Sequence, residues 1–132
     1  MSTILVNTLT GTSTAGSIAV TGEGNSTTTN LQQGVAKQWV RFDGTGLTVE
    51  DSFNTSSVTD NGTGDYSPVL TSSMSSENYS PLYTSSQYHE LMGNNGGTTG
   101  TLASGYKINI RDSSNSAADT GRVSTSVLGD LA

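Results

Sequence analysis

The chain has no cysteine, one histidine, one tryptophan, two phenylalanines and two prolines among 132 residues. Without cysteine there is no disulfide framework and no thiolate to act as nucleophile or metal ligand. A Ser-His-Asp triad would have to use His89, whose neighbours form no Gly-x-Ser-x-Gly elbow. His89-Glu90 is not followed by a second histidine four residues after the first, so the zinc-protease pattern is missing too. The expectation is a protein that is not an enzyme and needs no cofactor. Positive charge is equally scarce. Lys37, Arg41, Lys107, Arg111 and Arg122 are the only basic residues against eleven acidic ones, a net charge of −6. Phosphate backbones are held by clustered Lys and Arg, so nucleic acid is not an expected partner. No apolar run approaches the ~20 residues that cross a bilayer, and Met1 to Leu9 lacks a basic n-region. The pattern predicts a soluble chain without membrane insertion or an export signal.

Small polar residues fill the space that these absences leave. Ser and Thr make up about a third of the sequence and Gly another 16 residues, whereas hydrophobic residues reach 31% and charged residues 12%. A chain of this length is expected to form one domain burying about two thirds of its unfolded surface, and core material is short for that. Such a composition fits either disorder or a β-structure whose deficit is covered by a partner surface. The low charge and the regular strand-like segments favour the second.

The character of the chain changes near residue 34. Residues 1–34 hold two short apolar patches, Ile4 to Val6 and Ile18 to Val20, separated by a break at Gly22-Glu23-Gly24-Asn25. They cannot build a core alone, which suggests an extended N-terminal arm for attachment or for intertwining with copies of the chain. Asn30 can cap a single helical turn that Gly34 stops.

Residues 35–132 carry the strand signals. Tyr106, Ile108 and Ile110 alternate with Lys107, Asn109 and Arg111, and Val123, Thr125 and Val127 alternate with serines. Further strands are expected over Val35 to Phe42, Thr48 to Phe53, Tyr66 to Leu70 and Tyr79 to Tyr88. Gly44-Thr45-Gly46 and Asp60-Asn61-Gly62 are expected reversals, because glycine takes positive φ freely and Asn and Asp tolerate it. Pro68 and Pro81 lack an amide hydrogen and belong at an edge, a bulge or a strand start. Short strands between turn residues predict an all-β fold, an antiparallel β-sandwich or jelly-roll-like module. Its expected core is Trp39, Val40, Phe42, Phe53, Tyr106, Ile108, Ile110, Val123 and Val127. Truncating a buried Trp39 to Ala would cost about 3 to 5 kcal/mol.

Candidate sites are few. Asp60, Asn61 and Asp65 offer oxygens to a calcium ion, but their spacing fits no EF-hand and turn formation explains them, so no metal is expected. The four glycosylation sequons, at Asn25, Asn54, Asn61 and Asn78, are no more than a Ser/Thr-rich chain supplies by chance. Gly44-Thr45-Gly46 is too short for a phosphate loop. Tyr66, Tyr79, Tyr83 and Tyr88 lie close in sequence and offer an aromatic platform for a glycan or protein. The alternative is that Tyr79 and Tyr83 share one strand face and pack into the module or against a neighbouring subunit. Asn94 and Asn95, in the tract from Gly93 to Gly97, would sit at a loop tip that touches a receptor or merely connects two strands.

The order of Ala36-Lys37, Trp39-Val40, Phe42-Asp43-Gly44-Thr45-Gly46, Asp51-Ser52-Phe53-Asn54 and Thr59-Asp60-Asn61-Gly62-Thr63-Gly64-Asp65-Tyr66, with the opening Met1 to Leu9, resembles a module of tailed-bacteriophage structural proteins described as tail-fibre or virion proteins. The likeness covers most of the chain, including the closing Val123 to Gly129-Asp130. It departs at Ser67-Pro68, where an alternating strand without proline is expected. The resemblance implies a virion component involved in host attachment. It would be homotrimeric, with residues 1–34 as its arm and 35–132 as a β-sandwich knob. The implied partners are its own copies, other virion proteins and a glycan or protein receptor on the host surface. Alternatives are a capsid decoration or head-fibre protein and a monomeric carbohydrate-binding module.

Overall fold

The structure is a computed structural model that describes residues 3–12, 18–21, 28–87, 90–92 and 100–130. The tract 93–97, with Asn94 and Asn95, lies outside the described residues, as do Tyr88, His89 and the break at 22–25. Among the described residues no helix is long and apolar enough to cross a membrane. The chain divides into two compact units, Met1–Val35 and Ala36–Ala132.

In the first unit, β1 (Ala19–Thr21) pairs antiparallel with β2 (Thr28–Asn30). A single helical turn, α1 (Leu31–Gly34), follows, and its Leu31 amide donates to the Ile18 carbonyl at 2.8 Å. The two paired strands bury almost nothing. Residues 3–12 are without regular structure apart from two bends and are exposed throughout.

The second unit is all-β and antiparallel. β3 (Gln38–Asp43) and β4 (Thr48–Phe53) form a hairpin, as do β5 (Thr55–Gly62) and β6 (Asp65–Leu70). After them come β7 (Ser80–Ser85), β8 (Glu90–Met92), β9 (Thr101–Leu102), β10 (Gly105–Tyr106), β11 (Ile108–Arg111) and β12 (Val123–Leu128). One sheet runs β4-β3-β12-β7. In the other, β6 pairs with β5 on one side and with β10 and β11 on the other, and β9 and β8 flank that interrupted line. Residues from both sheets make one core: Val40, Phe42, Val123 and Val127 from the first, Val58, Tyr66, Leu70, Tyr106, Ile108 and Ile110 from the second, and Met74 from the loop before β7. Phe42 meets Tyr66 edge to face with ring centroids 5.3 Å apart. This arrangement is compatible with a β-sandwich.

Three details differ from the expectations. Asp60 and Asn61 lie inside β5, and the reversal falls two residues later at Thr63-Gly64, where Gly64 takes φ 66°. In the β3–β4 turn the left-handed residue is Leu47 (φ 48°), with neither glycine in that region. Pro68 is fully buried in β6, a strand paired on both sides. The Leu70 amide points to Ser104 O at 2.8 Å, and residues two apart in a strand aim their polar groups to the same side. Pro68 therefore directs its nitrogen toward β10, into the gap between the Gly105–Val69 and Ile108–Tyr66 pairs where the ladder to β6 is interrupted.

Candidate interaction face

Of the tyrosines expected to form a platform, Tyr66, Tyr79 and Tyr83 pack on the core, and Tyr88 lies outside the described residues. Tyr66 is fully buried, its hydroxyl 2.7 Å from Gly44 O and 2.8 Å from Asp119 Oδ1. Burial first, and the Asp119 carboxylate second, raise its pKa well above the usual phenol value. Tyr106 is buried with its hydroxyl against Gln38 Oε1 (2.9 Å) and the Thr125 hydroxyl, and burial raises its pKa despite those two bonds. The Tyr79 ring packs edge to face on Tyr106, and its hydroxyl points to the Leu102 and Gly105 carbonyls. Burial pushes its pKa up to about 12. Tyr83 is half-buried and leans on the same core. These rings are structural, each tied down by carbonyls, hydroxyls or packing.

The loop oxygens are engaged in the same way. Asp60 Oδ1 accepts from the Gly62 amide at 2.8 Å, and the Asn61 side-chain amide donates to Ser67 Oγ at 2.8 Å and Asp65 Oδ1 at 3.3 Å. Asp43 Oδ1 accepts from Thr45 N at 2.8 Å. Turn closure accounts for all three carboxylates.

Two residues of the expected core lie elsewhere. Alternation along β3 sends Gln38, Val40 and Phe42 inward, so Trp39 and Arg41 must face out. Trp39 is 37% exposed, and Phe53, directly opposite it on β4, is 52% exposed. Neither supports the module from inside, and the cost of a core truncation does not apply to Trp39. Gln38 takes the inward place and is satisfied there, donating to Thr55 Oγ1 at 2.8 Å and accepting from Tyr106. The other expected core residues, Val40, Phe42, Tyr106, Ile108, Ile110, Val123 and Val127, are buried. Sequence reasoning missed Tyr66, Leu70, Val58 and Met74 as core. The first two are legible as the even positions of β6, whereas Met74 sits in a loop with no periodicity to betray it.

What remains outside is an ordered face. Trp39 lies opposite Phe53 on one side and Ser126 on the other, and Ser126 lies opposite Leu82, so Phe53, Trp39, Ser126 and Leu82 form one row across four strands. Leu82 is 53% exposed. The next outward row runs Asp51, Arg41, Ser124 and Thr84. A β-bulge after Arg41 places Glu50 beside it, and Glu50 ion-pairs with Arg41 and reaches Arg122 at 4.0 Å. Because β12 presents only serines between the larger side chains of β3 and β7, its outer face is a trough. A shallow groove of about 260 Å³ lies there, lined by Leu82, Tyr83, Thr84, Ser124, Thr125 and Ser126. Serine and threonine hydroxyls supply donors and acceptors there, while Trp39 and the Arg41–Glu50 pair stand on the same outer face outside that lining. No nucleophile with its base is among these groups. No family model, no curated protein and no solved structure matches the chain significantly.

Proposed function

We propose that the chain is a structural component of a tailed-bacteriophage virion, of the short tail-fibre type, which works as a homotrimer in host attachment. Residues 1–34 serve as an extended arm that braids with its copies or docks on other virion proteins. The module from residue 35 onward serves as a sandwich or jelly-roll-like knob directed at a glycan or protein on the host surface. The observation that carries this reading is the exposure of the arm. Ile4, Leu5, Val6 and Leu9 are 85%, 89%, 60% and 60% exposed in a stretch, 3–12, without a single charge. Burial of apolar surface is worth roughly 25 cal/mol per Å², and a lone chain forgoes all of it there. Three-fold association recovers that gain and supplies the contacts that the composition lacks. The resemblance of Lys37 to Tyr66 to phage fibre modules points to the same setting.

Light scattering behind a sizing column tests the assembly. A mass of three times 13.6 kDa is expected, and a monomer overturns the trimer. The virion assignment predicts the protein among the components of purified phage particles, and its confinement to the soluble fraction of the lysate overturns that assignment.

A further inference from the structure

We infer that Asn61-Gly62, near the tip of the β5–β6 hairpin, is a site of self-modification. With Asp60 as base, the Gly62 amide nitrogen attacks Asn61 Cγ and expels ammonia, and water then leaves an aspartyl or isoaspartyl residue in place of Asn61. This chemistry belongs to the hairpin alone and does not depend on the assembly proposed above.

The backbone makes the approach possible. Asp60 pairs with Tyr66 and Gly62 with Asp65, so Asn61 is the extra residue of a β-bulge, left out of the ladder that would hold it straight. Asn61 and Gly62 are both exposed. Gly62 takes φ 129°, a value that L side chains rarely adopt, and nothing lies within 4 Å of where its Cβ would stand. No side chain shields its nitrogen, and water has access. Among the described asparagines only Asn61 precedes a glycine. Asn54 is the contrast within the same sheet region. Its carboxamide is fixed at both ends, donating to Lys37 O at 2.9 Å and Ser72 O at 3.1 Å and accepting from Ser72 N at 2.7 Å, and β-branched Thr55 follows it.

The side chains supply the proton transfers. Attack requires the Gly62 nitrogen to lose its proton, and that N–H already donates to Asp60 Oδ1 at 2.8 Å, within reach of a general base. Closing the N–Cγ bond makes a five-membered ring whose reacting atoms the chain itself keeps adjacent. The proton that Asp60 takes passes to Asn61 Nδ2 as the Cγ–Nδ2 bond breaks, and ammonia leaves a succinimide. One water opens that ring, at Cγ to give an aspartyl residue or at the main-chain carbonyl to give an isoaspartyl residue whose backbone runs through Cβ and Cγ. Either product lacks the donor that Asn61 Nδ2 gives to Ser67 Oγ at 2.8 Å and Asp65 Oδ1 at 3.3 Å. It also sets a third carboxylate beside Asp60 and Asp65, where like charges repel.

The full chain would be held in neutral buffer made with heavy-oxygen water and sampled over weeks by mass spectrometry. The heavy oxygen marks conversion during the incubation and excludes conversion during digestion. Cleavage after glutamate puts Asn61 on fragment 51–77 and the other Asn-Gly pair, Asn95-Gly96, on fragment 91–132. The expected result is a fragment 51–77 that exchanges its amide for a labelled acid at Asn61, as two products separable by chromatography. Asn61→Gln should abolish that change, and Asp60→Ser should slow it about tenfold or more, with circular dichroism unchanged in both. A fragment 51–77 that stays unmodified in the folded chain and converts once urea unfolds it overturns the proposal, because the hairpin then protects the amide. An Asp60→Ser rate equal to that of the parent chain overturns the assignment of Asp60 as base.

Discussion

Gln38 and Trp39 exchange the places that their hydrophobicity suggests, and the reason is local. Strand periodicity allows every second residue of β3 inward, so Trp39 can enter the core only if Val40 and Phe42 leave it. Two apolar residues outweigh one, and the amide of Gln38 is accommodated by Thr55 and Tyr106. The same core makes three phenols reluctant to ionise. Tyr66, Tyr79 and Tyr106 have pKa values raised first of all by burial, against about 10 in an unfolded chain. A raised value means that folding favours the protonated phenol. The resulting stabilisation is complete below pH ~10 and fades as pH climbs through the folded-state values, the lowest being about 12 for Tyr79. In an alkaline titration followed by phenolate absorbance and circular dichroism, these three of the five tyrosines should ionise together with loss of the β signal. All five ionising near pH 10 in an intact fold would contradict their burial.

At the level of elements, the strands were legible wherever apolar and polar residues alternate. Ile108 and Ile110 on β11 and Val123 and Val127 on β12 are examples. The alternation also runs through Gln38 to Phe42, but Trp39 and Phe53 look like core by residue type while parity puts Trp39 on the outer face. The reversals were less legible, because Asp60-Asn61-Gly62 has the right composition and the next glycine has the necessary surroundings. At Gly64 the amide donates to Asp119 Oδ1 at 2.7 Å, the carbonyl accepts from Ile110 N at 2.7 Å, and φ is 66°. A Cβ there would stand 2.4 Å from the Ile110 carbonyl oxygen and 2.9 Å from Ala118 N, both backbone atoms. Gly64→Ala should therefore destabilise by about 2 kcal/mol or more, combining the left-handed penalty with the clash. Urea unfolding with an unchanged slope would measure it, and a loss under roughly 0.5 kcal/mol would mean that the turn relaxes freely. Only contacts made across some 55 residues of sequence distinguish the two glycine turns, and no local pattern carries them.

For the whole molecule, the division into Met1–Val35 and Ala36–Ala132 leaves every buried hydrophobic among the described residues in the second unit. Deleting residues 1–34 should leave the module's circular dichroism and melting temperature nearly unchanged while abolishing the trimer mass and incorporation into particles. A truncated chain that still assembles would move the oligomer contact onto the module. The sequence signalled this division through composition alone, because Ile4, Leu5, Val6 and Leu9 have no polar alternation to place them on any face.

The proline at position 81 has a consequence for how many copies can crowd together. Val127 turns its carbonyl to Lys37 at 2.7 Å, toward β3, so opposite it on β7 Pro81 turns its nitrogen away from the sheet. An open strand edge normally offers a row of amides on which a second molecule can add a strand, the first step toward a fibril. On β7 that row is interrupted by Pro81. On β4 it is bent by the bulge and guarded by Glu50 and Asp51, and on β5 it is broken by two register shifts. A Ser/Thr-rich chain with little charge has few other defences against sticking to itself edge to edge. Along these three borders a second molecule finds no continuous row of amides on which to add a strand.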